Sequence, residues 1–157
     1  MEIYHGAHGK YETHSPVRTF VPFDFGQGDI HLVAAYTCTP LVTFPLSALK
    51  PKAHVMGRTI GELGNRNRPL DMVVYKKNGE DFLLMANSAR GVMKVETINF
   101  EDLPGITERV SGTKGASFDT VTDWEGIEQL DLLDPDHALV LQKSESGDRS
   151  LISMALP

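Results

Sequence analysis

The chain has 157 residues, 41% apolar, 23% charged and 8% aromatic, enough for one domain with a real core; this excludes a disordered chain, a collagen-like repeat and a disulfide scaffold. Fifteen Lys and Arg against 21 Asp and Glu leave a formal charge of -6, so a duplex nucleic-acid binder, which needs a basic face, is not expected. No apolar run approaches the roughly 20 residues of a membrane-spanning helix, no secretory signal is read at the start, and the single cysteine, Cys38, forms no paired zinc or haem-attachment spacing, so no compartment is assigned.

Residues 2–5 read as a short strand leading into a glycine-containing loop, 9–16. Residues 15–23 form the first strand of a unit, Gly26 and Gly28 turn the chain, and 30–36 and 40–44 supply the second and third strands. These assignments rest on β-branched and aromatic runs bounded by Gly, Pro, Asn and Asp. A fourth strand is expected at 53–57, before a loop at 61–69. The same order then recurs: 68–75, a turn at Asn78-Gly79, then 81–87 and 91–95, a fourth strand at 106–110, and a loop at 112–126. Asn-Gly is a strong two-residue hairpin signal because both positions tolerate φ > 0. Pro16 to Pro69 is 53 positions and Leu32 to Leu83 is 51, so the units differ by a two-residue shortening of the turn.

A weaker third copy has strands at 127–133, 138–142 and 151–154, with a turn at Asp134-Pro135-Asp136. The second strands, such as 82–86, are apolar on both alternating faces, which predicts sheets covered on both sides. Residues 45–50 and 101–103 each suit a single helical turn, and no segment carries a long 3.6-residue period.

Four-stranded units of about 50 residues resemble the blades of a β-propeller. The expected fold is all-β: one domain over 1–157, with units at approximately 14–61, 67–112 and 126–157 and residues 1–8 as the outer strand of a neighbouring or last blade. Propellers generally have about 4–8 blades. Three therefore imply self-association into a six-bladed dimeric ring, or membership of a longer propeller; a β-sandwich is the alternative. No Trp-Asp, kelch or quinoprotein signature assigns a specific family.

In propeller geometry the loops entering the innermost strands share a face with the loops between second and third strands. That face collects His14, Arg18, Tyr36, Arg66, Asn67, Arg68, Asp71, Asn87 and Arg90, a locally basic set within an acidic chain. Guanidinium forks pair with carboxylates or phosphates, so the set predicts a binding or scaffold module for an anionic small molecule or a protein partner. Arg18 and Asp71 occupy aligned positions and are expected either to pair across the channel or to line a site. His5, His8 and His14 form the candidate metal set, since imidazole is a common ligand for divalent ions. They support an alternative function, a metal-dependent hydrolase or oxidoreductase at the channel mouth. His5 and His8 are three apart, which on a strand sends them to opposite faces unless Gly6 turns the chain. Cys38 reads as a small packed residue, or as a nucleophile if His14 is beside it. His31 and His137 read as structural. A third reading makes the chain a structural segment of a longer propeller. Nothing in the sequence matches a Walker, GxGxxG, GxSxG or HExxH motif.

Overall fold

The computed structural model describes all 157 residues. The chain is all-β, with every sheet pair antiparallel and a single 3₁₀ turn at Leu46–Ala48. Strands β1 (Ile3–His5) and β2 (Lys10–Glu12) form a hairpin. The first large sheet contains β3 (Val17–Asp24), β4 (Ile30–Tyr36), β5 (Cys38–Pro45) and β6 (Arg58–Asn67). The second begins with β7 (Pro69–Lys77), β8 (Glu80–Asn87) and β9 (Gly91–Glu96). Short strands then complete both: β10 (Thr113–Gly115) pairs with β6, and β11 (Phe118–Val121) pairs with β9. The third sheet is a three-stranded meander, β12 (Ile127–Leu132), β13 (His137–Lys143) and β14 (Arg149–Ala155).

The three expected meanders are therefore present, and the Asn78-Gly79 turn has positive φ at both residues (53° and 85°), as its sequence predicts. The fourth strands lie elsewhere. Residues 53–57 are irregular apart from a parallel bridge between Met56 and Glu2, and the fourth strand is β6, in the segment expected to be a loop. Gly61, Gly64 and the polar run 65–67 give β6 the composition of a loop. It is nevertheless clamped between β5 and β10, so pairing overrides local preference. Likewise 106–110 is not a strand, and the expected loop at 112–126 holds β10 and β11. Gly115 makes the β10 crossing possible: a Cβ there would lie 2.1 Å from the Ile60 carbonyl oxygen, and its φ of +82° suits glycine.

Three apolar layers hold the sheets together. Val33, Leu41 and Ile60 from the first sheet meet Met72, Leu83 and Met93 from the second. Leu84, Ala86 and Val92, on the opposite face of the second sheet, meet Leu130, Ala138 and Val140 of the third, with Trp124 sealing the layer. On its far face the first sheet packs Ala34, Tyr36, Val42 and Phe44 under Ile3 and Val55. The central strands β4 and β8 are thus buried on both faces along most of their length, as their continuous apolar runs require. Burying a Leu or Phe side chain contributes roughly 1.5–3 kcal/mol, and these layers are the main source of stability.

The first strands of the three sheets are neighbours: β7 contacts both β3 and β12. No sheet closes into a ring within one chain. The third sheet lacks the outer strand that β6 and β11 supply to the other two. β1 does not extend it; instead the β1–β2 hairpin caps the far face of the first sheet.

Candidate functional site

The loop-face residues divide by burial. Arg18, Arg66, Arg68 and His14 are exposed. Arg18 Nε donates to the Pro69 carbonyl at 3.4 Å, and Arg90 Nη2 donates to the Asn65 carbonyl at 2.8 Å. Asn67 and Asn87 are buried and bonded to each other through Asn87 Nδ2 and Asn67 Oδ1. Asn87 Oδ1 also accepts the backbone N–H groups of Arg68 (3.2 Å) and Ala89 (2.9 Å), so this pair ties two loops together. Tyr36 is 2% exposed, and burial pushes its hydroxyl up to about 12, so it stays protonated and uncharged at neutral pH. Asp71 does not bond to Arg18. Its Oδ1 accepts the Met72 N–H and its Oδ2 the Leu130 N–H, each at 3.0 Å.

A cavity of about 1060 Å³ opens between the second and third sheets. Its walls come from the loop after β8, the segment between β11 and β12, and the start of the loop after β13. Trp124, Asn87, Gln142 and Lys143 line it.

A second cavity, about 510 Å³, lies where the N-terminal hairpin meets the β4–β5 turn. The backbone N–H groups of His8 and Gly9 donate to the His5 carbonyl at 3.1 and 2.8 Å, forming a tight turn. This turn stacks the His5 and His8 rings with centroids 3.7 Å apart, overcoming the opposite-face placement of a continuous strand. The turn is anchored from below. Gly6 N–H donates to Oε1 of the fully buried Glu62 at 2.6 Å, and the Gly6 carbonyl accepts the Val110 N–H at 2.9 Å.

Glu12 stands between the two imidazoles. Its Oε2 is 3.0 Å from His5 Nδ1 and its Oε1 is 2.7 Å from His8 Nδ1, while Ser15 Oγ donates to Oε2. Burial raises the Glu12 carboxyl. The bonds from Ser15, His8 and His5, with the charge of His5, outweigh it and hold the group down at about 2. Glu12 is thus a carboxylate at neutral pH and can only accept. The Nδ1 atoms of both rings are the donors, which leaves Nε2 of a neutral ring as the lone-pair nitrogen. His5 is 2% exposed, and its Nε2 is buried with no hydrogen-bond partner.

Cys38 completes the group. It begins β5 with φ +84°, a left-handed conformation that costs a non-glycine residue on the order of 1–2 kcal/mol. In the corresponding hairpin of the second sheet the left-handed residue is a glycine, Gly91. His5, His8 and Cys38 each offer a ligand atom within 4.8 Å of the other two. His14 lines the same cavity but does not join that trio. The sequence shows the histidines and places Cys38 at the loop. It gives no sign that Cys38 meets His5, because they belong to different hairpins and a left-handed φ leaves no mark in composition. His31 and His137 bond to Asp29 (3.2 Å) and Asp134 (3.0 Å).

The chain matches no protein-family model, and no curated protein and no solved structure matches it.

Proposed function

We propose that the chain is a self-assembling, propeller-type binding module: its three sheets are blades, and two copies close a six-bladed ring. The observation that carries this reading is a pair of complementary free edges. The third sheet ends at β14, which has no further partner, and the N-terminal hairpin ends at β2, which also has none. In the ring, β2 of one copy extends the third sheet of the other, giving that sheet the outer strand it lacks. The contact of β7 with both β3 and β12 supports a radial arrangement with these strands innermost. Apolar side chains are available at both ends of the stack: Leu151 is 66% exposed on the third sheet and Phe20 is 59% exposed on the first. Unpaired edges beside exposed apolar groups favour association. The exposed Arg18, Arg66 and Arg68 would face the mouth of the ring, where guanidinium groups suit an anionic small molecule or an acidic partner surface.

Light scattering over a concentration series tests this reading. A species of twice 17.3 kDa is expected, and Leu151→Lys should dissociate it without changing the emission of the buried Trp124. A monomer at every concentration overturns self-closure and favours a segment of a longer propeller. The alternative, a metal-dependent hydrolase or oxidoreductase, draws on the histidine pair braced by Glu12.

A further inference from the structure

We propose that His5, His8 and Cys38 form a zinc site, with His5 Nε2, His8 Nε2 and Cys38 Sγ as ligands and the fourth position open to the adjoining cavity. This inference is independent of ring closure, since every ligand belongs to one chain.

Four observations converge on it. The first is the orphaned nitrogen: His5 Nε2 is buried and unpartnered, and a buried polar atom without a partner is rare in a folded protein. A metal ion satisfies it. The second is the role of Glu12. Ligating histidines commonly donate their other ring N–H to a carboxylate, which fixes the tautomer and raises ligand basicity. Here one carboxylate performs that task for both rings, at 3.0 and 2.7 Å.

The third is the donor set. Two imidazole nitrogens and a thiolate match the borderline-soft character of Zn²⁺ and exclude calcium or magnesium, which take oxygen ligands. Around zinc, with bonds of about 2.0–2.1 Å to nitrogen and about 2.3 Å to sulfur, tetrahedral ligands lie roughly 3.3–3.8 Å apart. One ring nitrogen of each histidine and Cys38 Sγ lie within 4.8 Å of one another, so a small inward adjustment of the side chains seats the ion. His8 is exposed and the hairpin that bears it is short, so the movement falls on a side chain free to make it. The fourth is Cys38 itself. Its φ of +84° is one that glycine adopts without strain, yet a thiol-bearing residue occupies it. Strain of this kind concentrates at functional sites.

Binding requires both imidazoles neutral at Nε2 and the Cys38 thiol deprotonated. The sulfur–hydrogen bond breaks, its electron pair becomes the zinc–sulfur bond, and one proton leaves to solvent for each ion bound. The open position faces a cavity whose wall includes Lys10, Tyr11 and His14. A site with three protein ligands and one open position has the form of a catalytic rather than a purely structural zinc site.

The test is a titration of the full, metal-free chain with Zn²⁺ by calorimetry and with Co²⁺ by absorbance. One ion per chain is expected, with a thiolate-to-cobalt charge-transfer band in the near ultraviolet and release of one proton from the thiol. Cys38→Ser should remove the band and His8→Ala should weaken binding at least tenfold. Glu12→Gln should weaken it about 10–100-fold as a change outside the ligand set. His137→Ala, at an imidazole on the opposite end of the stack, should leave it unchanged. Cys38→Gly separates folding from ligation: it should lose the metal while the metal-free chain melts no lower than the parent. Cobalt bound without the thiolate band, or equal affinity in the parent, Cys38→Ser and His8→Ala, overturns the proposal and leaves adventitious surface binding only.

Discussion

Asp71 Oδ2 accepts the backbone N–H of Leu130 at 3.0 Å, joining β7 of the second sheet to β12 of the third. The other carboxylate oxygen accepts the Met72 N–H within the same strand, so both oxygens are occupied and one of them ties the two sheets together. Hydrogen bonds to a charged acceptor contribute roughly 1.5–3 kcal/mol. Asp71→Ala is therefore expected to destabilise the chain by about 2 kcal/mol, measured by urea denaturation. Trp124 is the only tryptophan and lies buried in the layer between those sheets, so its emission should shift to the red in this variant. A loss under about 0.5 kcal/mol would mean that the apolar layer alone docks the third sheet.

Acid should act on the chain through Glu12. Its carboxyl titrates at about 2 in the folded state against an ordinary value of 4.5. A depressed pKa contributes stability that is fully present above the unfolded value and is lost as pH falls through the folded one. The contribution, about 3 kcal/mol at most, should disappear between about pH 4.5 and about pH 2. Melting temperature followed across that window should fall steeply in the parent and more gently in Glu12→Gln. Parallel curves would assign the acid sensitivity to other carboxylates.

Gly6 should tolerate no side chain. A Cβ there would lie 2.8 Å from the Glu62 carboxyl carbon, and Glu62 is fully buried and bonded to the Gly6 N–H. Gly6→Ala is expected to cost about 1–3 kcal/mol, in the range of overpacked interiors, and to disturb the stacking of His5 and His8. An unchanged melting temperature, with the metal titration also unchanged, would show that the turn can slide past Glu62.

Much of this architecture was legible in the sequence, and what was not has a physical pattern. The hairpins β3–β4, β7–β8 and β12–β13 follow from local signals: alternating apolar runs closed by Gly, Asn or Asp turns. β6, β10 and β11 carry no such signals. Gly61 and Asn65 read as loop, and these strands exist because β5 and β9 offer them edges to pair with. The site divides the same way. His5 and His8 stood out by residue type, and Gly6 marked the turn that brings them together. Cys38 appeared as an isolated loop thiol, Glu12 as one polar residue among many, and Glu62 as part of a loop. Their grouping depends on the hairpin folding over the first sheet, a contact between elements that no local pattern encodes. The aligned charges of Arg18 and Asp71 suggested a pair, but the N–H of Leu130 takes the carboxylate instead.

The position of β10 has a consequence for how this chain emerges from the ribosome. Residues Thr113–Gly115 finish the first sheet, although they follow β7, β8 and β9 in the chain. Until they are translated and clear the exit tunnel, β6 presents a bare edge. A product that stops within residues 97–112 keeps three strands of the second sheet and leaves the first without its last one. Such a product has lost the strand that covers this edge, and an uncovered edge is a template for pairing with another chain. Late truncation should therefore yield a sticky species rather than a slightly smaller working domain.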